Sequence, residues 1–597
     1  MSNKQQKWRQ LQPLKVHHKN ISKTAKKAEK ATMRHAHQFV VRRWDNVRNV
    51  RHRILAWMLG VVLLIAVVGV QIVWFQQSYL KTASVQGGVY AEAAVGAIDT
   101  LNPLYATSEA ELATGRLLFS SLYQYDQSGH VRPDTARTMK ADDTSKVYTV
   151  TMRKDVRWSD GTVLTAKDVI FTVGLMQNPA VRATSTINAG WKDIDVKALN
   201  DYTVQFTLPA AYAAFPQALT FSILPEHILK DAEVRSLRQH VFSKAPVGSG
   251  PFTFRLMQQV GEGGKHKIVH LAANDLYHAH RPAIDRFQLH AYGTMDDAGR
   301  ALRTGEVGAA AGVSGDVARN IDKSRYLVMS KPMSSGVYAI INTTQPITKE
   351  LPVRQALQLA ASTAEIRNAL YGTPPQLDLP FPSSLLSDVE LPSAPKRDIE
   401  KAKQLLDDAG WKMTSSGTRA KDGQELKLHV VARKNSDYEK ALELLAGQWG
   451  EIGVGIDKQV VDPTAADQSF AQTVLRPRSY DVLIDELFIG GDPDVFAYWH
   501  SRGLLNFSNY ANTVSDDALV SGRSRAEPEL RAIKYKVFAQ QWLKDVPAIG
   551  LYQPTMVYVK NKQYRSLTDD QKIISPAERY VGIQNWTAEQ GSVYKTP

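Results

Sequence analysis

Residues 54–75 read ILAWMLGVVLLIAVVGVQIVWF, an apolar run interrupted by one strongly polar side chain, Gln71. As a helix of ~1.5 Å rise per residue it would span about 33 Å, close to the ~30 Å hydrocarbon core of a bilayer. Trp57 and Trp74 lie near its two ends, where amphipathic rings suit the membrane interfaces. A soluble core helix of this length without a charge is uncommon, so the chain is expected to divide into a segment before the membrane, one transmembrane helix and a large body after it. Arg42, Arg43, Arg48, Arg51 and Arg53 crowd the N-terminal flank, against Lys81 on the other. The positive-inside rule puts residues 1–53 in the cytoplasm and the body outside it. A cleaved signal peptide would need an unusually long basic region, and its apolar stretch would exceed the usual ~7–15 residues. An uncleaved single-pass anchor in the cell membrane is the expectation.

Charge supports the same division. The net charge is +14, but residues 1–53 hold 15 Lys and Arg against only Glu29 and Asp45. Thirteen of the fourteen positive charges therefore sit in the tail, and the remaining 544 residues carry one. A nearly neutral body does not point to a phosphate-tracking groove, so nucleic acid is not an expected partner. Between 23 and 53 the tail has helical character, with Phe39, Val40 and Trp44 among the cations, and could lie on anionic headgroups or stay solvated. The chain has no cysteine, which excludes disulfides, thiolate zinc sites, thiol catalysis and lipid attachment through a cysteine.

Residues 76–87 (QQSYLKTASVQG) read as a polar linker. Beyond it, alternating apolar residues predict strands at Val147–Met152, 203–208, 427–431 and 556–559. Residues 398–411 (DIEKAKQLLDDAGW) predict a helix with an acidic first turn and a stop at Gly410. Residues 426–461 read strand, helix, strand, a βαβ unit that requires parallel strands in a covered sheet.

A set of short segments then appears in order from about residue 87 to 570. They include LNPLYATSEAELATGRLLFSSLYQYDQSGHVRPDTA, YTVTMRKDVRWSDGTVLTAKDVIFT from Tyr148 to Thr172, PVGSGPF from Pro246 to Phe252, and NDLYHAHRPAIDRFQLH from Asn274. ALRTGEV, GVYAIINTTQPITKELPVRQALQLAAS, AKQLLDDAGW, YDVLI, GDPD, WHS, NFSNYAN and DVPAIGLY follow. Within them, Asp160-Gly161 suits a tight turn and Thr165 a helix cap. PVGSGPF lacks the Lys and spacing of a phosphate-binding loop and reads as a structural turn. Together the series resembles the family 5 extracellular solute-binding proteins, the dipeptide- and oligopeptide-binding components of ABC importers.

That resemblance implies an α/β fold of the two-lobed periplasmic-binding-protein type (type II) with an extra third domain, here preceded by one transmembrane helix. By analogy lobe one would comprise residues 88–124, 206–335 and 551–597, the extra domain 125–205, and lobe two 336–550. The implied activity is capture of peptides between closing lobes and delivery to ABC permease subunits, by a monomer without cofactor, bound metal or catalytic residues. The resemblance sets the ligand-binding strips at Thr107, Ser108 and Glu109 in lobe one and within YDVLIDELFIGGDPD in lobe two: Asp485, Glu486, Leu487, Phe488, Ile489, Gly490 and Gly491. Relatives commonly carry a Trp a few residues after "YD" and an Asp shortly before "DP". This chain has Leu487 or Phe488 for the first and Gly490 or a gap for the second, with Asp485 and Glu486 the nearest carboxylates. Asp492 and Asp494 are expected to hold a turn around Pro493.

Other chemistry is thinly represented. The pairs His17–His18, His35–His37 and His278–His280 have no third ligand nearby in sequence and read as surface histidines. No nucleophile elbow, HExxH, Walker loop or Ser-x-x-Lys set stands in a suitable context. The alternatives to peptide import are a binder of another solute (metal chelate, haem or oligosaccharide) and a non-transport sensor, chaperone or adhesion protein on the same scaffold.

Overall fold

The strands form where apolar residues alternate. Val147–Met152 (VYTVTM) buries every second side chain and pairs antiparallel with both Ala136–Ala141 and Thr203–Thr207. With Asp195–Asn200 these make a four-stranded sheet. The computed structural model describes residues 26–27, 30–31, 33–34, 44–182, 189–261, 266–462 and 470–594. The histidine pairs of the tail, Phe39 and Val40, and residues 595–597 lie outside the described residues. The chain divides into two units, one of residues 1–83 and 591–597 and one of residues 84–590.

In the first unit a continuous helix runs from Trp44 to Tyr79. Its stretch 51–75 contains an 18-residue window of mean hydropathy 2.6 and is long and apolar enough to cross a membrane. The large apolar side chains from Ile54 to Phe75 are all exposed. Part of the expected linker is ordered: Leu80–Val85 pairs with Glu589–Tyr594 in a two-stranded sheet.

The second unit is built on two large mixed sheets. The first has seven strands in the order 326–332, 555–561, 309–311, 89–95, 286–292, 266–273, 252–260. The second has five, ordered 455–461, 427–433, 482–488, 335–341, 548–552. The chain passes between them twice, from Pro332 to Ser335 and from Tyr552 to Thr555. The two crossings are tied together, Met333 N–H donating to the Pro554 carbonyl at 2.9 Å and Gln553 Nε2 to the Met333 carbonyl at 2.7 Å. Separate apolar cores fill the faces of the two sheets.

The βαβ unit is present: Lys427–Arg433 and Gly455–Val461 pair in parallel around the helix Ser436–Gly450. The helix Ile399–Asp408 starts at Asp398, whose side chain accepts from Lys401 N–H at 2.9 Å. Gly410 follows it with φ +87°, which a side chain would strain. The PVGSGPF segment is irregular backbone that bends at Gly250 and Pro251 before the strand at Phe252, without a turn hydrogen bond of its own among the described residues, and it shows why glycine is needed there. A Cβ on Gly248 would lie 1.9 Å from the Leu118 carbonyl oxygen, and one on Gly250 would lie 2.6 Å from the Leu118 carbonyl carbon. Both neighbours are backbone and cannot swing aside. Gly248→Ala is expected to destabilise the body by about 3 kcal/mol through this overpacking. The check is the midpoint of urea unfolding, and a shift worth less than ~1 kcal/mol would contradict the close approach. One histidine differs from expectation: the His278 side chain is buried against Asp134, with Nε2 2.9 Å from Oδ1.

Candidate ligand-binding cleft

The strand Val482–Phe488 ends in a loop fixed by the crossing segment. Ile489 N–H and Gly490 N–H both donate to the Ser334 carbonyl, at 3.1 and 3.0 Å, and Ser334 Oγ donates back to the Gly490 carbonyl. Tyr498 Oη–H donates to the Phe488 carbonyl at 2.6 Å. Asp492 Oδ1 accepts from Asp494 N–H at 3.0 Å, and Asp494 Oδ1 from Phe496 N–H at 3.3 Å, forming the turn expected around Pro493. The loop therefore projects rigidly from the second sheet, next to the point where the chain changes sheets.

Opposite it stands a wall made by elements on the first-sheet side. Trp191, Tyr212, Phe215 and Phe221 supply aromatic surface, with the Trp191 and Phe221 rings edge-on at 5.1 Å. The helix Glu109–Leu118 adds Leu112, Gly115 and Arg116, and the segment 574–578 closes one side. Between wall and loop lies a cavity of about 540 Å³, bounded on the loop side by Phe488, Ile489, Gly490, Gly491, Asp492 and Asp494. Its size falls within the range of small-ligand sites. The two sides touch where Gly491 meets Tyr125 and Gln217, and Ala213 N–H donates to the Arg523 carbonyl across the gap at 2.9 Å.

The carboxylates of the cavity are each matched by an arginine. Asp492 pairs with Arg531 at 2.7 Å, Asp494 with Arg523 at 3.2 Å, and Glu578 with Arg116. Arg523 also lies over the rings of Tyr212 and Phe496, 4.4 and 4.7 Å from their centroids. Burial pushes the Asp494 carboxyl above its ordinary range, against the opposing pull of Arg523. Burial, then Asp494, likewise raise the Tyr212 hydroxyl. The cleft thus offers aromatic faces, backbone groups and neutralised ion pairs.

Of the residues expected to bind ligand, Phe488, Ile489, Gly490 and Gly491 line this cavity. The others lie outside its lining. Leu487 is buried in the core of the second sheet. Asp485, on the same strand face as Leu487, pairs with Arg433 at 2.8 Å. Glu486 points the other way, accepting from Ser335 Oγ at 2.6 Å and Tyr438 Oη at 3.0 Å. Thr107 is exposed, and Ser108 caps the helix Glu109–Leu118 in a capping box with Glu111. Glu109 bonds to Arg579 at 3.2 Å. The aromatic wall carries no local sequence signal because it sits on short helical turns and loops; the arginines lie on regular helices but meet their carboxylates only in the fold, Arg116 and Glu578 being 462 residues apart.

Comparison with known proteins decides the family. The profile of the bacterial extracellular solute-binding proteins, family 5 (middle), matches residues 130–507. The chain belongs to that family. Among relatives of this solute-binding protein, the oligopeptide-binding protein AppA of Bacillus subtilis is 28% identical over 491 residues, 79% of this chain and 87% of that protein. The nickel-binding periplasmic protein of Escherichia coli is 27% identical over 369 residues, 60% of this chain and 68% of that protein. The solved structure of B. subtilis AppA in complex with a nonapeptide superposes with a TM-score of 0.70 at 24% identity, covering 85% of this chain and all of that one. The α/β two-lobed fold expected from sequence is therefore that of the family.

Proposed function

We propose that this solute-binding protein captures peptides in the cleft and hands them to the permease subunits of an ABC importer. The observation that carries the reading is the cavity itself. A loop fixed at the crossing between two sheets faces an aromatic wall across a space of ligand size. Oligopeptide-binding relatives, and the nonapeptide complex of one of them, support peptide as the solute. Phe488–Gly491 border one side of the bound chain, as a fixed rim whose backbone is already held by Ser334 and Tyr498. Because the cavity's carboxylates already hold arginines, apolar and aromatic ligand side chains gain most from Trp191, Tyr212 and Phe221, while a free amino terminus gains least.

In this reading lobe one takes residues 88–124, 206–335 and 551–597, the extra domain 125–205 and lobe two 336–550. The protein acts as a monomer. The helix 54–75 holds it to the cell membrane uncleaved, with the tail, which carries +13, inside and the body outside. Binding and release are the whole of its work. In a thermal-shift screen of the full chain in detergent against a peptide library, ligands at 100 times Kd should stabilise it by about 2.7 kcal/mol. A library without a single stabilising peptide, alongside a chelate or sugar that does stabilise, would transfer the assignment to another solute.

A further inference from the structure

Strand His266–Ala273 runs antiparallel to Arg286–Tyr292, with Lys267 opposite Ala291 and Ile268 opposite His290. One step along, His266 faces Tyr292, and strand alternation puts His266, His290 and Tyr292 on one face of the first sheet. The His266 and Tyr292 rings stack at 4.2 Å, and the His266 and His290 centroids are 5.5 Å apart. The helix Met295–Thr304 covers this face and ends at Gly305, whose φ of +79° turns the chain back. Glu306 N–H then donates to the Ala301 carbonyl at 3.0 Å. This turn brings Glu306 Oε1 to 3.5 Å from His290 Nδ1 and 3.9 Å from His266 Nε2.

We propose that His266, His290 and Glu306 bind one divalent transition-metal ion of the zinc type, at a site separate from the peptide cleft. The potential ligand atoms of the three residues lie within 4.8 Å of one another. Around an ion held at the usual ~2.0–2.2 Å they would sit roughly 3.3 Å apart, so a small contraction completes the set. The independent observation is what these atoms lack. His290 Nδ1, His266 Nε2 and Tyr292 Oη are all buried without a hydrogen-bond partner, and the His290 side chain is only 5% exposed. Buried polar atoms are ordinarily satisfied, and a cation would satisfy both nitrogens at once. His290 Nε2 lies 3.4 Å from Gln288 Oε1, a neighbour suited to hold the ring with Nδ1 free as a ligand. Two imidazoles and one carboxylate favour zinc, nickel or copper over calcium or magnesium. Glu306, 45% exposed, leaves a route for the ion and room for water as a fourth ligand.

The site is on the opposite side of the sheet from the cleft. Tyr90, Ala94, Leu289 and Ala291 pack in the core that includes the cleft helix Glu109–Leu118, whereas Ala93 and Tyr292 pack towards Met295–Thr304. None of the three ligands lines the cavity.

The test uses the full chain in detergent, stripped with EDTA, with His17, His18, His35 and His37 replaced by alanine so that tail chelation does not contribute. Titration with zinc chloride should show one equivalent bound, and cobalt chloride should give the visible ligand-field absorption of a low-coordinate nitrogen–oxygen site. His290→Gln and Glu306→Gln should each weaken zinc at least ~10-fold, the loss that removing even an outer-shell partner can produce, and abolish the cobalt bands with unchanged circular dichroism. Glu306→Gln, at a half-exposed position, keeps the test valid if His290→Gln fails to fold. Absence of stoichiometric zinc uptake, or uptake and cobalt spectra that Glu306→Gln leaves unchanged, would overturn the proposal.

Discussion

Arg579→Met is expected to destabilise the body by about 3–5 kcal/mol, the typical loss when one member of a buried ion pair is removed. Arg579 and Glu92 are both fully buried, and Arg579 Nη2 and Nε lie 2.7 and 2.9 Å from Glu92 Oε1. Tyr580 Oη–H and Tyr558 Oη–H each donate to the same carboxylate at 2.6 Å. Removing the guanidinium leaves a charge at the centre of the seven-stranded sheet with only tyrosine hydroxyls to hold it. Glu109 would lose its partner as well. Adding Glu92→Gln to Arg579→Met removes the stranded charge and should recover at least half of the loss. The measurement is the urea midpoint of tryptophan fluorescence for wild type, both single variants and the double. A double variant no more stable than Arg579→Met would show that packing, rather than the stranded charge, sets the cost.

The second large effect concerns closure. Gly491, at the tip of the second-sheet loop, has no room for a side chain. A Cβ would come within 2.9 Å of Tyr125 Cε1, 3.0 Å of Gln217 Oε1 and 3.2 Å of the Gly129 carbonyl oxygen. The last is backbone and cannot rotate away. Gly491→Leu should therefore hold the two sides of the cleft apart while leaving the core of each sheet intact. Peptide affinity is expected to fall about 100-fold, equivalent to ~2.7 kcal/mol, with the urea midpoint nearly unchanged. Isothermal titration of the two proteins with one peptide checks this, and an unaltered Kd would mean that the lobes do not meet at Gly491 when ligand is held.

These two sites differ in how far sequence reasoning reaches them. Phe488–Gly491 could be found because the family pattern is ordered along the chain, and YDVLI and GDPD bracket the loop. Strand Val147–Met152, the βαβ unit at 426–461 and the helix ending at Gly410 were legible because periodicity, caps and left-handed glycines are local signals. The Glu92–Arg579 pair was not, since its members stand 487 residues apart and charge alone reads as surface. Asp485 and Glu486 illustrate a related limit. The pattern could bring two carboxylates to the right strand, but the alternation that sends one to Arg433 and the other to Tyr438 depends on neighbours from other elements. The aromatic wall was invisible for a different reason: Trp191, Tyr212, Phe215 and Phe221 lie on short turns with no period to read. His266 and His290 escaped for the same reason as the ion pair, being joined across a sheet rather than along a helix or loop.

The central claim, that the body holds a peptide between its two large sheets, is tested most directly by native mass spectrometry of the full chain purified gently from membranes. The account predicts an added mass that dissociates as a peptide or a family of peptides, and that is absent or strongly reduced in Gly491→Leu. A bare chain that also fails to take up any member of a broad peptide library, or a bound species that is not a peptide, would contradict it.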